Sequence, residues 1–345
     1  MASTGERSQP FLGYGPRSNC GVDEPGGGRQ SLAETESLGS TGDVVVGIDI
    51  GGTKTALLAW DLTTHAVLGQ DVFPTPAEVG PEAMVERLVV GLDSLLSHCG
   101  RERANLRGVG VAVPGLVDVE AGIVLTAGNL HGWSRVPLCD LLAARLHIPV
   151  VIEHDANAAA LGERWRGAAR NLETFAFVAL GTGIGVGIIL DGQLYRGAHH
   201  AAGELGDLVV GREFLGQERD GQGNLAQLIG GKTLRRRAKQ ATGDDLSAAE
   251  VISEAENDAE LAAMTDEVDE YLAMAIIAIA ALLDPEAIIV GGGTAEAGED
   301  LLDPVRERVA REVSAPPLII ASAFGSEAQL YGAVYAALQN IGELD

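Results

Sequence analysis

The sequence predicts an α/β chain of two related domains with a cleft between them, on three observations. Short Val- and Ile-rich runs alternate with longer amphipathic stretches, the pattern of buried strands joined by helices. A strand–glycine turn unit occurs twice, at Gly47-Ile48-Asp49-Ile50-Gly51-Gly52-Thr53 and at Val178-Ala179-Leu180-Gly181-Thr182-Gly183, each time followed by α/β material. The length, 345 residues, suits two domains of ~100–200 residues. The expected division is a disordered tail over 1–42, an N-terminal α/β domain over 43–165 and a C-terminal one over 166–345. The last helix is placed to pack back on the N-terminal domain.

The tail is assigned from its Gly, Ser, Pro and Glu content, with too little apolar surface to offset ordering entropy; a partner-binding arm is the functional alternative. Val44 to Ile50 reads as a buried strand closed by Gly51-Gly52. Ala56 to Trp60 and Ala66 to Phe73 read as two more, an antiparallel start to a mixed sheet. Pro81 to Cys99 is amphipathic, with proline suited to the first helical turn. Leu106 to Val113 is a strand ending at Pro114-Gly115. A helix over Leu138 to Leu146, a strand at Val150 to Ile152 and an Ala-rich helix from Asp155 to Trp165 follow. The second block has strands at Phe175 to Leu180 and Val186 to Leu190, with Asp191-Gly192 turning a hairpin into Gln193 to Tyr195. Helices are predicted over Leu225 to Gln240, Leu246 to Glu256 and Asp258 to Leu283. Ala287 to Val290 is a strand before Gly291-Gly292-Gly293. A helix near Leu302 to Val313, a strand at Leu318 to Ala321 and a helix from Glu327 to Leu338 close the chain.

Composition narrows the function. A formal net charge of −25 disfavours nucleic acid and anionic membranes, since phosphates need Lys and Arg to neutralise them. Three scattered cysteines, Cys20, Cys99 and Cys139, form neither a disulfide framework nor a zinc spacing and fit a reducing cytoplasm. The most apolar stretch, Tyr271 to Leu283, is too short for a bilayer needing ~20 residues.

Several motifs carry chemistry. In Asp49-Ile50-Gly51-Gly52-Thr53-Lys54 a glycine turn can present backbone amides to phosphate oxygens, with the Thr53 hydroxyl and Lys54 ammonium beside it. Asp49 could hold Mg²⁺ through water. A ligand-free hairpin turn would look the same. Gly181-Thr182-Gly183-Ile184-Gly185-Val186-Gly187 offers a second such turn, without the spacing or following helix of a dinucleotide fingerprint. Gly291-Gly292-Gly293-Thr294 suits close approach by an adenine or ribose, or is a plain strand-to-helix loop. Gly231-Lys232-Thr233 ends like a P-loop, but Ala226 replaces the required glycine and no strand precedes it, so it reads as a helix start. Asp155, just past a strand's carboxyl end, is placed where α/β sheets bind ligands, and a helix N-cap is the alternative. His199 to Asp207 is either a polar loop or part of a site, and its spacing fits no standard metal set.

Taken in order, Asp49 to Lys54, Val113-Pro114-Gly115, Asp155 to Glu163, Gly181 to Gly185, Gly203-Glu204-Leu205-Gly206 and Leu330-Tyr331-Gly332-Ala333 resemble the ROK family of sugar kinases and repressors over residues 43–340. The resemblance implies an actin-like, hexokinase-type (ribonuclease H-like) ATPase fold with ATP and Mg²⁺ in the cleft and a homodimer as the assembly. It implies Asp155 as the base acting on a sugar 6-hydroxyl, and Gly47 to Lys54 and Gly181 to Ile188 as phosphate segments. Glu204 matches a sugar ligand, and Asn129, in Gly128 to Trp133, borders the sugar.

The chain departs from the family pattern at the sugar end. His154 stands where the family has Asn, Asp207 where it has His, and Ala226 where a second sugar-binding Glu is expected. The zinc-binding cysteines are absent between Gly211 and Asn224, so no structural zinc is expected. A His-to-Asp exchange adds negative charge that a protonated amine would balance if the acid is buried, pointing to an amino hexose such as kanosamine. An ordinary glucokinase is the runner-up, and a non-catalytic sugar-binding regulator the rival outside the enzymes.

Overall fold

The structure is a computed structural model that describes residues 42–76, 78–128, 130–216 and 223–344. The predicted tail over 1–42 therefore lies, but for Gly42, outside the described residues. The chain opens with strands β1 (Val44–Ile50), β2 (Lys54–Asp61) and β3 (Ala66–Pro74), then helix α1 (Pro81–His98). β4 (Leu106–Val113), β5 (Leu116–Asp118), β6 (Ile123–Thr126) and β7 (Ser134–Val136) precede α2 (Leu138–Leu146). β8 (Val150–His154) runs directly into α3 (Asp155–Arg166). The second block holds β9 (Phe175–Leu180), β10 (Ile184–Leu190) and β11 (Gln193–Leu194), then α4 (Asn224–Ile229), α5 (Gly231–Thr242), α6 (Ala248–Ser253) and α7 (Ala259–Leu283). It ends with β12 (Ala287–Gly291), α8 (Glu299–Glu312), β13 (Leu318–Ala321) and α9 (Ala328–Asn340).

Two five-stranded sheets result, ordered β3-β2-β1-β4-β8 and β11-β10-β9-β12-β13. In the first, β1 and β2 are antiparallel, with Asp49 opposite Ala56 and Val45 opposite Trp60, while β1, β4 and β8 are parallel. In the second, β9 and β10 are antiparallel while β9, β12 and β13 are parallel. The antiparallel start of a mixed sheet is thus found twice. The continuous apolar run of β1 follows from burial on both faces. Val44, Val46, Ile48 and Ile50 pack with α1 and α2 residues such as Leu88 and Leu142, whereas Val45 packs with Leu330 and Val334 of α9. The second sheet likewise lies between a core with α4 to α8 and a smaller one with α3.

Local chemistry explains the helix limits. Pro81 opens α1, where its missing N–H costs no intrahelical bond. Ser247 and Glu250 form a reciprocal capping box on α6, at 3.2 and 2.7 Å. The Asp258 carboxylate accepts from the amides of Glu260 and Leu261 at 2.8 and 3.0 Å and caps α7.

Three readings change. The helix expected over Leu225 to Gln240 is two helices, α4 and α5, parted at Gly230, whose ψ of 139° is extended. The helix expected over Leu246 to Glu256 shrinks to α6 and a separate 3₁₀ turn, Ala255–Asn257. A small sheet of order β5-β6-β7 went unpredicted, because strands of three or four residues leave too short a stretch for periodicity to show.

Candidate functional site

The two glycine turns leave the ends of corresponding strand pairs. Between β1 and β2, the Gly51 amide donates to the Lys54 carbonyl at 2.9 Å, and Thr53 and Lys54 are exposed. What this turn presents is therefore Gly52, Thr53 and Lys54, because the Gly51 amide is spent on the turn itself. Between β9 and β10, the Gly181 amide donates to the Gly183 carbonyl at 3.0 Å. Among the described residues no heavy atom would meet a Cβ on Gly181 within 4 Å. A Cβ on Gly185 would lie 3.4 Å from Ala156 Cβ and 3.8 Å from a ring carbon of His154, which sets the second turn against the start of α3.

Gly47 does not belong with these residues. It is buried inside β1, and a Cβ there would come 2.6 Å from the Leu330 carbonyl oxygen of α9. Its glycine serves helix–sheet packing, not phosphate. Gly291 is likewise a packing glycine, with a Cβ 2.6 Å from the Phe177 ring, while Gly293 faces open space. Gly292 has φ 93° and lies against the Leu180 carbonyl, a conformation and an approach that need glycine.

The sequence did not show that the start of α5 joins this region. The Gly231 amide donates to the Gly181 carbonyl at 2.8 Å and that of Lys232 to Thr182 at 3.3 Å. A Cβ on Gly231 would reach Thr294 Oγ1 at 2.9 Å. The helix start read from Gly231-Lys232-Thr233 thus ties the Gly181-Thr182-Gly183 turn to Gly293-Thr294. Only long-range packing brings these three segments together.

Asp155 is the first residue of α3, and His154 holds the N-cap position without a capping side-chain bond. The Asp155 carboxylate instead accepts from the adjacent Ala156 amide at 2.7 Å and lies 3.1 Å from His154 Nε2, both on Oδ1. The N-cap position thus falls to His154, while the Asp155 carboxylate still satisfies one free amide at the start of the helix. His154 Nε2 is also 3.7 Å from Glu204 Oε1, so the imidazole stands between two carboxylates. Burial raises the Glu204 pKa; His154 opposes this, while Asp155 and Asp207 add to it. Asp49 is pushed from 3.8 to about 7, first by burial and then by the charge of Asp155, with Lys54 pulling the other way. Asp49 and Asp155 therefore share one electrostatic site.

Below them, Glu153 is 3% exposed and takes a two-pronged contact from Arg196, at 3.0 Å to Nε and 2.5 Å to Nη2. Its other oxygen accepts from the His154 amide at 3.0 Å and from Asn157 Nδ2 at 3.1 Å. This salt bridge fixes the backbone that carries His154 and Asp155. Its partners are 43 positions apart in sequence, too far for a local motif to reveal.

In the loop after β11, Asp207 closes a 3₁₀ turn, Leu205–Asp207, and is exposed. The premise of a buried acid at 207 is thus corrected; the desolvated acid is Glu204. The Ala226 methyl would contact a Cβ on Gly206 at 3.2 Å and on Gly183 at 4.0 Å, so a small side chain lies between turn and loop. Asn129 lies outside the described residues. A pocket of about 470 Å³ is lined by its neighbours Gly128, Leu130, His131 and Trp133, and by none of Asp155, Glu204 or the glycine turns. Among the described residues no three His, Cys, Asp or Glu side chains gather as metal ligands, and no helix is long and apolar enough to cross a membrane.

A family model described as the ROK family matches residues 45–340. The chain belongs to the ROK family. A glucokinase of Halalkalibacterium halodurans is 32% identical over 76% of this chain and 84% of its own length. One from Streptomyces coelicolor is 33% identical over 84% of this chain and 96% of its own. Among solved structures, a ROK family glucokinase from Streptomyces griseus in complex with glucose and AMPPNP has a TM-score of 0.75 and 31% identity, covering 86% of this chain and 99% of that one. This ROK-family chain accordingly has the actin-like, hexokinase-type (ribonuclease H-like) fold that the resemblance implies.

Proposed function

We propose that this ROK-family chain is an ATP-dependent sugar kinase that moves the γ-phosphate of ATP onto the 6-hydroxyl of a glucose-type hexose. One placement carries the reading: Asp155 stands at the start of α3, beside His154 and Glu204 and within electrostatic range of Asp49. Relatives named glucokinase support it.

Each residue then has a task. Both close contacts to Asp155 fall on Oδ1, which leaves Oδ2 to take the proton of the attacking hydroxyl. A positioned base of this kind contributes ~10²–10⁴-fold. An Nε2–H tautomer of His154 fixes the carboxylate and, with Glu204, orients the sugar hydroxyls. Gly52, Thr53 and Lys54 on one side and Thr182 and Gly183 on the other hold the phosphates, because transfer depends on positioning and charge stabilisation. Gly293 and Thr294 border the adenosine end. Magnesium, when bound with ATP, supplies charge that offsets the transferring phosphoryl group. Asp49 is the residue to hold it through water, since a cation beside it would relieve an acid that burial and Asp155 push to about 7.

The finer reading is an amino hexose such as kanosamine. The raised pKa of Glu204, with Asp155 and Asp207 contributing, favours an ammonium at the sugar end; glucose is the plain alternative. A homodimer in the cytoplasm completes the proposal, with light scattering at the mass of two chains as its check.

An ADP-coupled assay over glucose, mannose, glucosamine and kanosamine tests substrate and reaction together. Asp155→Ala is expected to lower turnover at least ~10²-fold with an unchanged circular dichroism spectrum, and near-normal turnover removes Asp155 as the base. Higher kcat/KM on glucose than on kanosamine removes the amino-sugar reading. Sugar binding with no ADP release on any acceptor places the chain with the regulators, among which a xylose repressor of Caldicellulosiruptor bescii is 26% identical over 83% of this chain.

A further inference from the structure

A second pocket, of about 370 Å³, is built of cations and aromatic rings that phosphoryl transfer does not use, including Trp60, His65, Arg166, Arg170, Phe324 and Tyr331. It is remote from the reacting carboxylates. Trp60 is four strand positions from Ala56, the partner of Asp49, or ~13 Å along β2. Arg166 is eleven residues beyond Asp155 on α3, or ~16 Å.

Its chemistry is that of an anion site with flat walls. The Arg166 guanidinium lies 4.5 Å from the Trp60 ring and 4.8 Å from that of Trp165. Phe324 and Tyr331 stack at 3.9 Å with an interplanar angle of 11°. Both arginines are exposed, and neither has a carboxylate partner within salt-bridge distance among the described residues. Such spare cations stand out on a chain with 49 acidic and 24 basic residues. Trp60 is 2% exposed, and its indole N–H has no acceptor among the described residues, although a buried donor normally has one. The arginines also offset the negative pole at the end of α3, but that role needs neither a cavity nor stacked rings. Guanidinium pairs match phosphate geometry, and aromatic walls favour a planar base.

We propose that this pocket binds a nucleoside phosphate, gripping the phosphate with Arg166 and Arg170 and stacking the base on the aromatic wall. The site is independent of the kinase reaction and lies on the α3–α9 joint.

The test follows tryptophan emission and heat on titrating the full chain with AMP, adenosine and inorganic phosphate; of the three tryptophans, Trp60 lines the pocket and Trp165 packs under its Arg166. AMP is expected to bind saturably and more tightly than either fragment. Arg170→Ala, which breaks no hydrogen bond or ion pair among the described residues, should weaken it about tenfold or more, and adding Arg166→Ala should abolish it. AMP titrations that match in wild type and both variants overturn the proposal. Inorganic phosphate binding as tightly as AMP reduces the site to a simple anion patch, and adenosine matching AMP removes the arginines' part; either result also overturns it. A chain without kinase activity that still binds AMP through Arg170 would sink the kinase reading and leave this one standing.

Discussion

Asp49 offers the sharpest quantitative test, because its physical cost and its proposed role point in opposite directions. Its carboxyl is raised from 3.8 to about 7, chiefly by burial and then by Asp155. An acid whose folded pKa is raised binds more protons in the native than in the unfolded state. Stability is therefore highest at low pH and is lost as pH rises from about 4 to about 7. Three pKa units correspond to a ceiling of ~4 kcal/mol. Asp49 is only half-buried, so solvent reduces this to ~1–2 kcal/mol. Asp49→Asn keeps the shape and removes the charge. At pH 8 the variant should be the more stable by that amount, a rise in Tm of ~2–4 °C per kcal/mol for a protein near this size. At pH 4, where the carboxyl is largely protonated in the native state and only beginning to ionise in the unfolded one, most of the difference should be gone. Turnover should fall at least ~10²-fold. Thermal melts at the two pH values, with an ADP-coupled assay on the same samples, measure both. A variant less stable than wild type at pH 8, or a gain equal at both pH values, would refute the account of Asp49 as a desolvated acid.

Two further outcomes follow from the packing. Glu153→Gln leaves the Arg196 guanidinium without its 2.5 Å carboxylate partner. It should cost ~1–3 kcal/mol in a urea melt and lower turnover by loosening the His154-Asp155 backbone, while Glu153→Asp should recover part of both. Gly332→Ala sets a Cβ 1.6 Å from the Ala158 carbonyl oxygen, a backbone clash that neither helix can relieve. A loss above ~3 kcal/mol, or failure to fold, is expected in expression and melting trials, and a near-normal Tm would show that α3 and α9 can part.

The layered plan was legible in the sequence where one rule acted locally. The apolar run of β1, Pro81 at the start of α1 and the repeated glycine turns each need only neighbouring residues. The helix limits at α4 and α5 were not legible, since an isolated Gly230 gives no sign that the carbonyls of Gly181 and Thr182 will take the next amides. In the site, the place of Asp155 after a strand suits a helix N-cap as well as a base, and only the resemblance singles it out, whereas the two glycine turns are legible from their repetition. Gly47 misled because a glycine beside a turn motif reads as part of it, whereas α9, nearly three hundred residues later, is what excludes its side chain. Glu153 with Arg196, and the contact of Gly231 with Gly181, needed the tertiary fold. Asp207 shows the same limit for charge, since residue type alone does not separate a buried acid from an exposed one.

The small residues of α3 connect these observations. Ala156, Ala158, Ala159, Ala160 and Gly162 are all buried, an unusual run for a helix whose first residue is charged. Cβ atoms on Gly187 of β10 and Gly162 would come 2.3 Å from the Ala156 carbonyl and 2.5 Å from the Ala328 carbonyl. One face of α3 thus meets the second sheet and another meets α9, backbone to backbone. α9 in turn lies on β1 and β4, where Cβ atoms on Gly47 and Gly110 would strike the Leu330 and Ala333 carbonyls. The helix that carries Asp155 is therefore wedged between both sheets with almost no side chain to absorb a shift. Relative motion of the two sheets must move Asp155 as part of a rigid unit and cannot leave it behind. For the base proposed at Asp155, so stiff a support would hold its aim on the attacking hydroxyl, which is the precision that proximity catalysis demands.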